Sequence, residues 1–361
     1  MGVVGEKAWL PPDSERPFRP YPGLAGFHRM TLAGGLLRSE RWHRHPPSVD
    51  REVPLAGDAA TIVSCSWQAE TGAPVLLLVH GMGGSAKSAY LRGTARRAWA
   101  AGMHVLSVQL RGASGTEHLS DRGYHAGLVD DVRATLATLV RGRGLGPVLL
   151  AGFSLGGNVV LRLAALDGPE VAAGVAAISP SVDLGLCSRA LDDDPALSLY
   201  RDSFVRSLKA SVRRRASHRP GCVDLEVLQA VRTLREFDAG FTATSHGFAD
   251  VDDYYRKASS APLLGDIALP TLVIHARDDR LVPVEGLLNS AAPGNPWIRL
   301  SITERGGHCA FIGRSVPWPA GGRATGSAAV LPGFWAEERL IAFLGEVALE
   351  HASAPGTFVP A

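Results

Sequence analysis

The stretch Pro147-Val148-Leu149-Leu150-Ala151-Gly152-Phe153-Ser154-Leu155-Gly156-Gly157-Asn158-Val159-Val160 decides the fold. Its first five residues are the apolar run of a short buried strand, and residues 157–163 have the pattern of the helix that follows. Glycines on either side of Ser154 let the backbone turn sharply from strand to helix. That turn lifts the serine hydroxyl off the sheet edge and aims the helix N-terminus at it. A free serine hydroxyl is a poor nucleophile near neutral pH, and such a site is what activates it. Glycine-rich turns of this spacing also occur for structural reasons alone, so the reading depends on what surrounds it.

Outward from this turn, short apolar runs alternate with helical stretches. Residues 73–79, 103–110, 171–178, 269–275 and 297–302 read as further strands. Residues 128–140 repeat apolar side chains at helical spacing, Ser85 is placed to cap a helix reaching about residue 101, and residues 334–349 form a last amphipathic helix. The alternation predicts an α/β fold, a mostly parallel sheet with helices on both faces. The rhythm stops after Pro180. Residues 181–262 read as a helical insertion in the position of a lid, with Leu225, Leu228, Val231 and Leu234 on one helix face. The expected organisation is an irregular N-terminal arm over residues 1–50, core over 51–180, lid over 181–262, and core again over 263–361.

Three polar groups fall just past predicted strand ends, at the edge where open parallel sheets bind ligands. They are Ser154, the acids of Asp278-Asp279-Arg280-Leu281-Val282-Pro283, and His308 of Gly306-Gly307-His308. In these roles His308 takes the Ser154 proton and returns it to the leaving group, while a carboxylate fixes the imidazole tautomer. Asp279, four residues before Pro283, is the favoured acid; Asp278 is expected to cap the turn, and Asp183 is a second strand-end candidate. His80-Gly81-Met82-Gly83-Gly84 follows the 73–79 strand and supplies the Met82 amide, which with the Leu155 amide forms an oxyanion hole. A phosphate-binding reading of this loop fails because no Gly-Lys-Ser/Thr follows.

Composition bounds the rest. The 361 residues are 46% hydrophobic and 20% charged, enough for a sizeable core, and a net charge of +2 is too small to imply nucleic acid or a membrane surface as partner. Cys65, Cys187, Cys222 and Cys309 are scattered, which suits reduced thiols and a cytoplasmic location better than a disulfide framework or zinc. No signal-peptide core and no apolar run of about 18 residues is present. His43 and His45 without a nearby acid or thiol make a poor metal site, and Cys309 beside His308 is read as a small packing residue. No metal or cofactor is expected.

These residues together resemble the YheT-type α/β-hydrolases, the AB hydrolase-4 family. The likeness runs from about Gly26 to the final helix. It is carried by the His80–Gly84 loop, Arg111-Gly112, Tyr124-His125-Ala126-Gly127, Asp130-Asp131 and Ser154-Leu155-Gly156-Gly157-Asn158. Further on it includes Glu236-Phe237-Asp238, His246-Gly247-Phe248, Asp253-Tyr254-Tyr255, Ser259-Ser260, 276–279 and Gly306-Gly307-His308. The resemblance implies the α/β-hydrolase fold, carboxylic ester hydrolysis, and a Ser154–Asp279–His308 triad. The chain departs from the family at Ala113-Ser114-Gly115 and at Phe27-His28-Arg29-Met30-Thr31, which bears on substrate rather than chemistry.

The expected activity is therefore a cofactor-independent carboxylesterase acting through an acyl-enzyme on a small-molecule or lipid-like ester. The competing readings are a lipase, phospholipase or acyltransferase, and, outside enzymes, a binding protein on the same fold. Oligomeric state is not legible. Seven Lys/Arg against one acid between Arg201 and Arg219 form either a solvated helix face or a lure for an anionic substrate.

Overall fold

The computed structural model describes residues 17–37, 46–219, 221, 223–314 and 332–353. Eight strands form one sheet: β1 (Val49–Pro54), β2 (Ala60–Ser66), β3 (Val75–Val79), β4 (His104–Val108), β5 (Val148–Phe153), β6 (Gly174–Ile178), β7 (Thr271–Ala276) and β8 (Ile298–Thr303). Their order is β1-β2-β4-β3-β5-β6-β7-β8, antiparallel at β1/β2 and β2/β4 and parallel from β4 onward. Val-Leu-Leu-Leu-Val of β3 is buried at every position. Such a run cannot satisfy a half-solvated strand and requires helices on both faces.

The helices comply. α1 (Phe27–Leu37) precedes the sheet, and α2 (Ala89–Ala100), α3 (Asp130–Leu139) and α4 (Leu155–Asp167) alternate with its strands. Side chains alternate across the sheet. Leu76, Leu78, Ala151 and Phe153 pack with Leu91 of α2 and with Leu340 and Phe343 of the C-terminal helix. Leu77, Val79 and Leu150 face Val132 of α3 and Val159 of α4.

Between β6 and β7 the chain forms α5 (Leu184–Asp193), α6 (Ser198–His218), α7 (Leu225–Ala230), α8 (Leu234–Phe237) and α9 (Val251–Ala258), with no strand among the described residues of this segment. Short α10 (Glu285–Leu288) follows β7. β9 (Ile312–Arg314) pairs with β10 (Pro332–Phe334), and α11 (Trp335–Ser353) closes the fold.

Three local expectations are corrected. Residues 27–37 are helical rather than irregular, because Phe27 and Met30 find buried seats against the core. Ser88, not Ser85, precedes the first helical residue of α2; its Oγ instead accepts the Ser85 amide at 2.9 Å. Leu225, Leu228, Val231 and Leu234 do not share one helix, since Val231 is extended and Thr233 starts a new helix with a capping box on Glu236. No helix among the described residues is long and apolar enough to cross a membrane.

Candidate active site

Ser154 stands between β5 and α4 at φ 53° and ψ −119°, a region that side-chain-bearing residues rarely occupy. Its amide donates to Ile178 O at 2.9 Å, and its carbonyl accepts from the Asn158 amide at 3.1 Å. The turn is possible only with glycine on both sides. A Cβ on Gly152 would lie 2.1 Å from Gly156 O, and one on Gly156 would lie 2.4 Å from Val79 O. Four residues into α4, the wholly buried Asn158 donates to Ala126 O (2.8 Å) and Ala258 O (2.9 Å) and accepts from the Ser260 amide (2.8 Å). It ties the end of the 181–262 segment to the serine turn.

Asp279 follows β7 and is buried. Its Oδ2 accepts from His308 Nδ1 at 2.8 Å, while Oδ1 accepts the Leu281 and Val282 amides, each at 3.1 Å. Burial pushes this carboxyl up, but the His308 imidazolium outweighs that and holds it below the ordinary carboxylate range. Burial pushes His308 down, yet Asp279 and the Cys309 thiol raise it well above 6.5. With Nδ1–H given to Asp279, Nε2 is left as the acceptor; Cys309 Sγ lies 3.7 Å from it.

The other candidate acids are otherwise engaged. Asp278 Oδ1 accepts the Gly306 and Gly307 amides at 2.9 and 3.0 Å, so it clamps the loop that carries His308. Asp183 caps α5 through the Leu186 amide at 2.9 Å. His43, His45 and Cys222 lie outside the described residues.

Ser154, His308, Met82 and Leu155 line one cavity of about 100 Å³, roofed by side chains from α5, α6, α8 and α9. Phe204 and Leu208 of α6 face it, whereas Val205 packs inside the helical insertion. Within the basic run, Arg214 pairs with the buried Glu117 at 2.6 Å, and Arg215 is buried with Nη2 donating to Gly112 O at 3.3 Å. Both hold the insertion to the core, Arg215 from a buried position and Arg214 while remaining about half exposed.

The roles of four supporting residues escaped the sequence reading. The amides flanking Met82 are each held by a tyrosine: Gly81 N–H donates to Tyr90 OH at 2.9 Å and Gly83 N–H to Tyr124 OH at 2.7 Å. His80, which burial pushes down to about 4, accepts the Leu110 amide on Nε2 at 3.2 Å and lies with Nδ1 2.8 Å from Gly81 O. It is neutral and fixes the same loop. Thr31 of α1 accepts the His308 amide at 3.0 Å. Tyr124 stands in the Tyr124-His125-Ala126-Gly127 motif, which was the available signal; nothing local marks Tyr90 or Thr31. Among the described residues no group of three or more His, Cys, Asp or Glu is placed to hold a metal ion.

The sequence family of the alpha/beta hydrolase fold matches residues 74–315, from β3 through the His308 loop. The chain belongs to the alpha/beta hydrolase family. It is 33% identical over 313 residues to the Escherichia coli (strain K12) protein named "Putative esterase YheT", covering 85% of this chain and 90% of that one. It is 27% identical over 250 residues to human "Phospholipase ABHD3", covering 69% of this chain and 61% of the relative, so it spans only about three fifths of that protein. Among solved structures, 2,6-dihydroxy-pseudo-oxynicotine hydrolase superposes with a TM-score of 0.52 at 17% identity, covering 79% of this chain and 66% of that one. That likeness shows the shared fold. Hydrolase chemistry is the activity common to these alpha/beta hydrolase relatives.

Proposed function

We propose that this hydrolase is a serine carboxylesterase working through an acyl-enzyme. The observation that carries the reading is the 2.8 Å Asp279–His308 pair opening on the same cavity as the strained Ser154. Ser154 Oγ attacks the ester carbonyl while His308 Nε2 takes its proton. The carbonyl oxygen becomes an oxyanion facing the Met82 and Leu155 amides, neither of which is bonded to another group among the described residues. Collapse expels the alkoxide, which leaves with the proton from Nε2. Water then repeats the sequence on the acyl-enzyme: it gives a proton to Nε2, adds to the carbonyl, and releases the acid as Ser154 recovers its proton. Residues 181–262 act as the lid that shapes the cavity. Every step draws on groups of this chain.

A second reading, phospholipase, is favoured by a neighbouring cavity of about 350 Å³ that shares Tyr124, Leu208, Phe237 and Thr242 with the first and is lined by Arg122 and Arg215 beside Asp121 and Asp224. Together the two would seat a longer ester, and a named phospholipase is among the relatives. A single experiment addresses both readings. A fluorophosphonate should add covalently to the intact chain with the adduct mapping to Ser154, and hydrolysis should be measured on acyl esters of graded length beside a glycerophospholipid. An adduct on any other residue, or no hydrolysis of any ester, overturns the carboxylesterase reading. Turnover of the phospholipid above the simple esters promotes the second.

The tyrosine supports give a quantitative corollary. Losing one oxyanion donor outright costs about 3 kcal/mol of transition-state stabilisation. Tyr124→Phe only frees the Gly83 amide and loosens the loop, so kcat should fall by roughly 10- to 100-fold with KM little changed. Michaelis parameters for one short ester check this; a rise in KM at constant kcat would place Tyr124 in ground-state binding instead.

A further inference from the structure

The cavity that holds Ser154 and His308 is apolar along most of its wall, but one carboxyl faces it. Asp238 lies in that wall, 8% exposed, at the start of a π-helical turn over residues 238–243. Wide turns of this kind cost helical regularity and recur at functional sites. Here the turn sets the side chain between two neutral donors: Thr242 Oγ1 at 2.7 Å on Oδ1 and Tyr255 OH at 3.0 Å on Oδ2, with Ser188 Oγ 2.9 Å from the same tyrosine oxygen.

No cation answers this carboxyl. Among the described residues it forms no ion pair, and the one charged neighbour that acts on it is another acid, Asp192. Burial accordingly pushes Asp238 up to about 7. A buried carboxylate without a counter-charge is costly, and a chain ordinarily protonates it or brings a cation to it. Besides Phe204, four aromatic rings, Tyr124, Phe237, Tyr254 and Tyr255, line the same cavity, the Tyr255 ring having Arg235 Cζ 5.9 Å from its centroid. Ring faces attract cations, most strongly where water is excluded.

We propose that Asp238, with these four rings, is a recognition subsite for an ammonium group carried by the ester substrate. The subsite rests on the carboxylesterase reading. The ammonium supplies the missing counter-charge, the carboxylate retains lone pairs beyond those used by Thr242 and Tyr255, and the rings close around the cation. A purely structural Asp238, serving only to join α5 and α9 through Ser188 and Tyr255, would treat charged and neutral esters alike.

The experiment compares pairs of esters that match in shape and differ in charge. Choline butyrate against 3,3-dimethylbutyl butyrate places the cation on the alcohol side. Ethyl 4-(trimethylammonio)butyrate against ethyl 5,5-dimethylhexanoate places it on the acyl side. In the wild-type protein kcat/KM should favour the cationic member of one pair by about 10- to 100-fold, the span expected for a desolvated cation–π contact joined by direct charge–charge attraction to the carboxylate. In Asp238→Asn that ratio should fall toward one, whatever the absolute rates. Tetramethylammonium should inhibit the wild-type protein competitively, which tests the subsite without any variant. Turnover of both neutral esters with no preference for either cationic partner, or a preference that survives in Asp238→Asn, overturns the subsite and leaves the esterase standing. Absence of both hydrolysis and fluorophosphonate labelling overturns the esterase reading and the subsite with it.

Discussion

Ser154→Ala is expected to lower kcat for ester hydrolysis by about 10⁶-fold and to abolish fluorophosphonate labelling, with the fold unchanged. The size follows from the way the three groups act as a unit. Without Oγ there is nothing for His308 to deprotonate, and the remaining amides and cavity can only bind the ester and bias water toward it. The fold should tolerate the change because the turn is held by the Ser154 backbone, through Ile178 O and the Asn158 amide, and by the glycines around it. Alanine meets the same φ of 53° with a side chain no larger than serine's. Purified variant and wild type should give matching circular dichroism and thermal transitions, and the rate loss is then read at saturating ester. A residual rate within about 100-fold of wild type, or labelling that persists, would falsify the nucleophile assignment.

Much of this site was legible because the chemistry is local in sequence. The β3 and β5 runs are apolar segments that each follow a proline, so their burial could be read directly, and His80 and Ser154 come directly after them. The Asp279 assignment also turned on local spacing, the apolar pair and Pro283 that follow it. Misreadings arose where tertiary contact overrides local pattern. α1 carries Gly34 and Gly35 and reads as irregular, yet Phe27 and Met30 gain enough burial to hold it helical. β1 presents five exposed residues of six, an edge strand with no apolar alternation to find. The pattern at Leu225 to Leu234 has helical spacing, but Asp192, some forty residues earlier, accepts the Leu234 and Arg235 amides and starts a separate helix there. The supports of the site are further beyond local reach: the Thr31–His308 bond joins residues 277 apart in sequence.

Asp279→Asn should lower kcat by about 10⁴-fold and move the acid limb of the pH–rate profile to lower pH. The rate loss comes from the tautomer. Asp279 accepts the Nδ1 proton of His308, which leaves Nε2 free to take the serine proton. An asparagine can instead donate its amide to Nδ1, so the ring carries its proton on Nε2 and cannot act as a base. The shift of the limb comes from charge. His308 must be neutral to work, so kcat/KM falls as pH drops through its pKa. In the intact site burial lowers that pKa, but Asp279 and Cys309 outweigh burial and hold it well above 6.5. Removing the carboxylate removes the principal raising influence, the imidazole becomes a weaker base, and the limb moves down. The neighbouring acids are the controls. Asp278→Asn keeps an oxygen for the Gly306 and Gly307 amides, and Asp183→Asn keeps one for Leu186, so each should cost far less. kcat/KM for all three variants, measured across pH on one neutral ester, separates the cases. If Asp183→Asn were the most damaging, or if Asp279→Asn lost rate with the acid limb unmoved, the carboxylate paired with His308 would not be the one that tunes it.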